Sequence, residues 1–366
     1  MPPSSLTADI ERLQSSVTSL LALISHCRSS ISGLTTTNPS TAPTASTAAP
    51  PTPADIPPLS LLHDTASLAK AHTTKLALLL TQSTLSSTCR AITPILSTIQ
   101  ASILPPLLTS LELLSTNHFG KALHHAASRP IFEILHGIEE MVGGPLKLMV
   151  NSGLKHGANA GKEEPSGPEK ETIILPSTGK VWGACDKLIS LKAKGLNGVV
   201  RERLQNSDET IKDATEELVT YYRRHAPGSS AGSGSGDDDE DPFWDSDDDF
   251  PSSTPPKNKK QIFHPEVARA IDASIKRLKA IAVLFQAIKK SRLSATQTPQ
   301  PDPALTTTPN LEVVKRLDGM VDTAEEMVVL VDEVVGEYYE HQFEDINSDG
   351  YKNVILLRYF QRARNL

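Results

Sequence analysis

The sequence predicts an all-α protein of two helical-bundle domains, built from long antiparallel amphipathic helices joined by disordered linkers, and three observations carry that prediction. Apolar residues recur at alternating spacings of three and four over long stretches, the pattern of helices that bury one face. No segment alternates apolar and polar residues as a half-buried strand does. The 27 prolines gather in blocks with Ser and Thr instead of spreading evenly, so folded segments alternate with unfolded ones. A chain of 366 residues also exceeds what one hydrophobic core usually serves. The expected division is an N-terminal helical bundle over 1–224, a disordered acidic linker over 225–261, a C-terminal helical pair over 262–341 and an atypical tail over 342–366.

Leu6, Ile10, Leu13, Val17, Leu20, Ile24, Cys27 and Ile31 form the seam of a first helix that Gly33 is placed to end. Residues 35–58 are Thr, Pro, Ala and Ser with little to bury, which predicts a disordered loop. Helical sequence resumes at Leu59 and runs to about Thr116, with kinks or breaks expected at Pro94 and at the Pro105-Pro106 pair, where backbone donors are lost, so two or three helices are expected there. A further helix spans Phe119 to Val142, interrupted near Pro130 and stopped by Gly143-Gly144-Pro145. A polar, disordered insertion covers about 153–171. Val181 to Leu191 then places Trp182, Cys185, Leu188 and Ile189 on one face, and Gly195 and Gly198 supply the turn into a helix from about Gly198 to Arg224.

Two amphipathic helices close the pattern, about Pro265 to Leu293 and about Leu311 to Tyr339, joined by a Thr/Pro loop. The first buries Ile271, Ile275, Leu278, Ile281, Phe285 and Ile288; the second repeats Val314, Leu317, Val321, Ala324, Val328, Val331, Val335 and Tyr338 at heptad spacing. Their charges oppose: seven basic against two acidic residues in the first, two basic against eight acidic in the second. An antiparallel pair follows, with burial rather than exposed ion pairs as its main support.

Composition narrows the function classes. The net charge of -7 comes mostly from one Asp/Glu run, and a nucleic-acid footprint needs a basic face, so no nucleic-acid partner is expected. No stretch of about 20 uninterrupted apolar residues is available to cross a bilayer, so no membrane partner is expected either. Cys27, Cys89 and Cys185 are odd in number and far apart, which reads as reduced core residues in an intracellular protein. His118, His124, His125 and His136 lie near Glu133, Glu139 and Glu140, but neither HExxH nor a Glu-x-x-His pair occurs, and solvent-facing histidines are the expectation. Asp345 to Gly350 carries the first half of a calcium loop, yet Leu356 stands where the bidentate Glu is needed. No phosphate-binding glycine loop or nucleophile elbow is present. An enzyme is not expected, and no catalytic, cofactor or metal residue is assigned.

The candidates for partner binding and regulation are Asp237, Asp238, Asp239, Phe243, Trp244 and Ser246. There aromatic side chains are placed to dock and carboxylates to steer the approach, and Ser246 before Asp247, Asp248 and Asp249 suits an acidophilic kinase. The C-terminal pair invites comparison with helix-loop-helix dimerisation modules. Its Lys257, Lys259 and Lys260 sit between Pro256 and Pro265, so no continuous basic helix can read DNA, and packing within its own bundle is the favoured reading.

At Lys180-Val181-Trp182-Gly183-Ala184-Cys185-Asp186-Lys187-Leu188, followed by a helix ending Ile211 to Leu218, the chain resembles the cyclin-D-binding protein family. The order of parts agrees: a helical N-terminal region, an acidic middle and a C-terminal helical region. The resemblance implies a two-domain helical protein of nucleus and cytoplasm that binds D-type cyclins and helix-loop-helix factors and restrains cell-cycle progression, with no catalytic residues. Lys192 and Ala193 follow Leu191 where that family tends to have proline, and the tail from about Gln342 departs from its pattern. Trp182, Cys185 and Leu188 are expected in the core. The alternative is a vinculin-like cytoskeletal or adhesion adaptor, which long antiparallel bundles poor in aromatics also build.

Overall fold

Helix-forming stripes in the sequence become helices. A computed structural model describes residues 3–36, 57–82, 85–156, 168–225, 265–290 and 310–340, and among these there is no strand. In order they form α1 (Pro3–Thr36), α2 (Pro58–Gln82), α3 (Leu85–Thr98), α4 (Leu104–Leu113), α5 (Thr116–Phe119), α6 (Lys121–Met141), α7 (Lys147–His156), α8 (Pro168–His225), α9 (Pro265–Ile288) and α10 (Leu311–Glu340). The acidic linker, the calcium-loop-like segment and the tail lie outside the described residues.

The chain divides into two compact units, and their bounds follow packing instead of chain order. Unit 1 is Met1–Glu202 with Thr298–Val321, and unit 2 is Arg203–Gln297 with Asp322–Leu366. Helix α9 and the part of α10 from Asp322 onward are thus grouped with the last part of α8, which continues its buried stripe through Leu204, Ile211 and Leu218 and needs a partner there.

In unit 1 the α1 seam is buried at every position from Ile10 to Ile31, and α1 runs three residues past Gly33 to Thr36. Its neighbours fasten it from outside the core: Arg90 Nε donates to Asp9 at 2.6 Å, Gln100 Nε2 to the Ser16 carbonyl at 3.0 Å, and Arg28 pairs with Glu139 while lying over the Phe132 ring. The stretch from Leu59 to Thr116 forms three helices, α2 to α4, within the expected two or three. Pro94 and Pro130 stay inside α3 and α6. Pro105 and Pro106 fall in the first turn of α4, where a missing N–H costs no bond, and a π turn at Ile99–Ile103 absorbs the change of register. Gly143-Gly144-Pro145 makes a second π turn, Val142–Leu146, and the helix resumes as α7 instead of stopping. Thr88–Leu113, with mean hydropathy 1.4, is long and apolar enough to cross a membrane; in unit 1 its Ile92, Leu96, Ile99, Ile103, Leu104, Leu107 and Leu111 are buried in the core.

Two glycines set close approaches. Gly120 has φ +88°, and a Cβ there would meet Val314 and the Asp318 carboxylate. Asp318 uses that proximity to accept from the backbone N–H groups of Lys121 at 2.7 Å and Ala122 at 3.0 Å, so a side chain of α10 caps the start of α6. Gly137 lets α6 approach α8: a Cβ would stand 2.5 Å from Val181 Cγ2 and 3.1 Å from the Ser177 carbonyl oxygen. The turn read from Gly195 and Gly198 exists as a kink inside α8, where Gly195 has φ +56°.

The described residues of unit 2 form a three-helix arrangement. Arg203 pairs with Glu325 at 2.9 Å and the Tyr221 hydroxyl donates to the Tyr338 carbonyl at 3.2 Å, so α8 and α10 run parallel. Ser274 meets the Tyr338 hydroxyl at 3.0 Å and Lys289 meets Asp208 at 2.6 Å, so α9 runs antiparallel to both. Both of these ion pairs made by the C-terminal helices reach α8. Ile281, Ile288, Val328 and Tyr338, expected in the core, are only half-buried.

Candidate protein-binding face

Heptad spacing on α8 has two sides. Val181, Cys185 and Leu188 fill the buried side. Burial, then the charge of Asp186, pushes the Cys185 thiol up to about 12, so it is an inert packing group. All three cysteines are free and buried. One step round the helix lies a second stripe, Leu175, Gly179, Trp182 and Asp186, and all four are exposed.

Trp182 corrects the expectation of a core residue: it is 39% exposed, while Cys185 and Leu188 are in the core as expected. Its neighbour in sequence, Val181, takes the core position, and the indole instead reaches across to α2, donating Nε1–H to Thr74 Oγ1 at 3.0 Å. One turn on, Lys70 of α2 bridges to Asp186 at 2.6 Å. On the other side of Thr74, Leu78 is 50% exposed, and Leu175 is 60% exposed two turns from Trp182. A Cβ built on Gly179 would meet nothing within 4 Å, so the stripe between the two large side chains is open. The result is a shallow apolar seam between α2 and α8 with an ion pair at one end. Such a surface suits the apolar face of a partner helix.

A second concavity lies between α6 and α8, about 460 Å³, lined by His136, Glu139, Glu140, Gly143, Gly144, Thr172, Ile173, Pro176, Ser177 and Lys180. Lys180 bonds both Glu140 oxygens at 2.9 and 3.0 Å, and Ser177 donates to Oε2 at 2.8 Å. The ammonium group, ahead of the other influences, holds the Glu140 carboxyl below its ordinary value. The carboxylate is thus engaged in holding α8 to α6. No group of three His, Cys, Asp or Glu side chains among the described residues is placed to hold a metal ion. His118, His125 and His136 face solvent, but His124 is buried, a correction to the expectation for all four, because it falls one turn before Ser128 and two before Ile131 on the inner side of α6.

Asp208 was missed in the sequence. It occupies a core slot of the α8 heptad, Leu204-Asp208-Ile211-Thr215-Leu218, and is fully buried. Lys289 and Lys212 both bond its Oδ2, at 2.6 and 2.9 Å. Burial pushes this carboxyl up, and the hydrogen bonds from the two ammonium groups outweigh that and hold it below the ordinary carboxylate value. An acid at heptad spacing between leucine and isoleucine was the available signal. Asp237, Asp238, Asp239, Phe243, Trp244 and Ser246 lie outside the described residues.

An all-helical chain with an exposed inter-helical apolar seam is, by class, an α-helical bundle protein. Residues 61–221 match the family model described as "Grap2 and cyclin-D-interacting, N-terminal", and the match includes the segment Lys180 to Leu218 on which the resemblance was read. The α2–α8 seam lies inside the matched segment. The chain is similar also to an uncharacterised protein of Schizosaccharomyces pombe (strain 972 / ATCC 24843), 23% identical over 249 residues, or 64% of this chain. It spans 62% of that relative's length. No solved structure matches.

Proposed function

We propose that this chain is a non-enzymatic interaction protein of nucleus and cytoplasm that regulates cell-cycle progression or transcription by holding D-type-cyclin-like or helix-loop-helix partners. One observation carries the reading: the segment matched to the cyclin-D-interacting family bears the exposed Leu78, Trp182 and Leu175 seam. A partner helix laying its apolar face along α8 would cover Leu175 and Trp182 two turns apart, with Lys70 and Asp186 fixing its register at the polar end. The acidic segment around Phe243 and Trp244 serves as a second, charge-steered contact, which phosphate on Ser246 would strengthen toward basic partners. The comparisons lend no support to the vinculin-like adaptor.

Affinity capture from native cells with quantitative mass spectrometry tests this, using the intact chain, Trp182→Ala, and a chain lacking residues 236–250. A cyclin or helix-loop-helix factor recovered by the intact chain and lost with Trp182→Ala supports the seam as its site. Loss only on deletion moves the contact to the acidic segment. Recovery of cytoskeletal proteins alone would overturn the proposal.

A further inference from the structure

The inward stripe of α9, Ala268, Ile271, Ile275, Leu278 and Phe285, is spent on unit 2. The helix carries a second stripe at the same heptad spacing, Lys276, Ala280, Val283, Ala287 and Lys290, and every one of these residues is exposed. Val283 at its centre is 65% exposed, and Leu284 beside it is 51% exposed. Lys276 is engaged by Asp272 at 2.7 Å, while Lys279 and Lys290 have no ionic partner among the described residues. This is an apolar seam of small residues with cations at its ends, a shape that lets another helix come close and asks for acid on it.

The same unit displays that acid. On α10, Asp322, Glu325, Glu326, Val329, Asp332 and Glu333 form one exposed face, again with a single apolar residue at the middle, Val329 at 56% exposed. Glu325 is held by Arg203 of α8, whereas Glu326, Asp332 and Glu333 have no ionic partner among the described residues. Laid antiparallel with Val283 on Val329, Lys279 lies four residues to one side and meets Glu333, four residues to the matching side. Lys290 falls toward Glu326 and Asp322.

We propose that the outer face of α9 docks on the outer face of α10 of a second copy of this chain, forming a two-fold dimer. The two-fold axis makes the contact reciprocal, so each pair of copies makes it twice. Reciprocity matters because a stable interface buries about 1,600 Å² in total, more than one helix pair supplies. Exposed ion pairs contribute little individually and are screened by salt, so charge selects the partner face and the valine and alanine seam holds it. This inference goes beyond the partner reading above and uses none of the α2–α8 seam.

Sedimentation equilibrium of the intact chain tests it, with two charge-reversed chains: Lys279→Glu with Lys290→Glu, and Glu326→Lys with Glu333→Lys. The expected results are a concentration-dependent dimer that weakens as salt rises, monomers for each reversed chain alone, and recovery of a dimer when the two are mixed in equal amounts. Mixing restores both reciprocal contacts at once, and recovery cannot come from misfolded chains. Val283→Asp should be monomeric alone and in any mixture. The proposal is overturned by an intact chain that stays monomeric throughout its soluble range, or by dimers that survive both reversals. It is equally overturned by a mixture that remains monomeric although both chains keep the parent circular dichroism spectrum. A chain that dimerises only after residues 236–250 are deleted would assign the α9 face to that segment and overturn it too.

Discussion

Unit 1 and unit 2 are built from the same kind of helix but hold together differently. The stripes of unit 1 are apolar almost throughout, as α1 illustrates from Ile10 to Ile31, and its polar contacts sit at the edges. Unit 2 places an ionised Asp208 in the middle of its core and closes its far end with tyrosines, where the Tyr221 and Tyr339 rings meet edge to face at 4.5 Å. Apolar stripes tolerate sliding by a turn, since one leucine replaces another. A buried carboxylate paired with one lysine on α9 does not, so unit 2 gains a unique register at the expense of desolvating charge.

The largest effect that distinguishes the two is expected from Asp208→Ala. Removing the acid takes the carboxylate from the half-buried Lys289, leaving the neutral Gln205 amide as an acceptor for its charge, and unit 2 should lose about 3 kcal/mol in urea unfolding. The double change Asp208→Leu with Lys289→Met should restore most of it; if the double is as damaged as the single, the ion pair is not what holds α9. In unit 1 the comparable sensitivity is steric. Gly137→Ala should cost about 2 kcal/mol, because Val181 and the Ser177 carbonyl leave no space for a methyl group, and Val181→Ala should relieve part of that in the double variant's thermal melt. Asp318→Ala should cost about 1 kcal/mol through the lost cap, read as faster hydrogen exchange confined to the first turn of α6.

Acidification is the mildest probe and should act on the units in sequence. Burial, with help from His125 and Lys75 respectively, holds His124 and His72 of unit 1 below the ordinary imidazole value. The unfolded chain therefore takes up protons first, and unit 1 should weaken as pH falls below about 6.5. Asp208 is depressed below the ordinary carboxylate value, so its contribution persists at neutral pH and is lost only as pH falls through about 3.9 toward its folded value. Residue-resolved hydrogen exchange between pH 7 and pH 3 reads the order directly; unit 2 opening first would break the comparison.

Much of this was legible beforehand for a physical reason: a helix that buries one face must repeat its apolar residues with the helical period. The α1 seam and the inward residues of α9 from Ile271 to Leu278 were read that way, and the turn at Gly195 from its glycines. Periodicity says less about what lies one residue off the stripe. Trp182 sits beside Val181 with a body apolar enough for the core, and only its N–H, satisfied by Thr74, explains why it stays at the surface. Pro130 and Gly143-Gly144-Pro145 misled because α6 carries its proline inside the helix and a π turn at Val142–Leu146 changes register without stopping it, which composition does not encode. Asp208 was passed over since a lone acid in a stripe looks like an error in the pattern until its two lysines are in view.

The cap on α6 also carries a schedule. Asp318 lies 197 residues after the Lys121 N–H it accepts. At the usual 5–20 residues per second, the ribosome needs roughly 10–40 s to deliver it after α6 has emerged. Throughout that interval α6, which packs on α8 at Gly137, waits with its first turn open to chaperones and to other anions, and that turn closes only when α10 has been made.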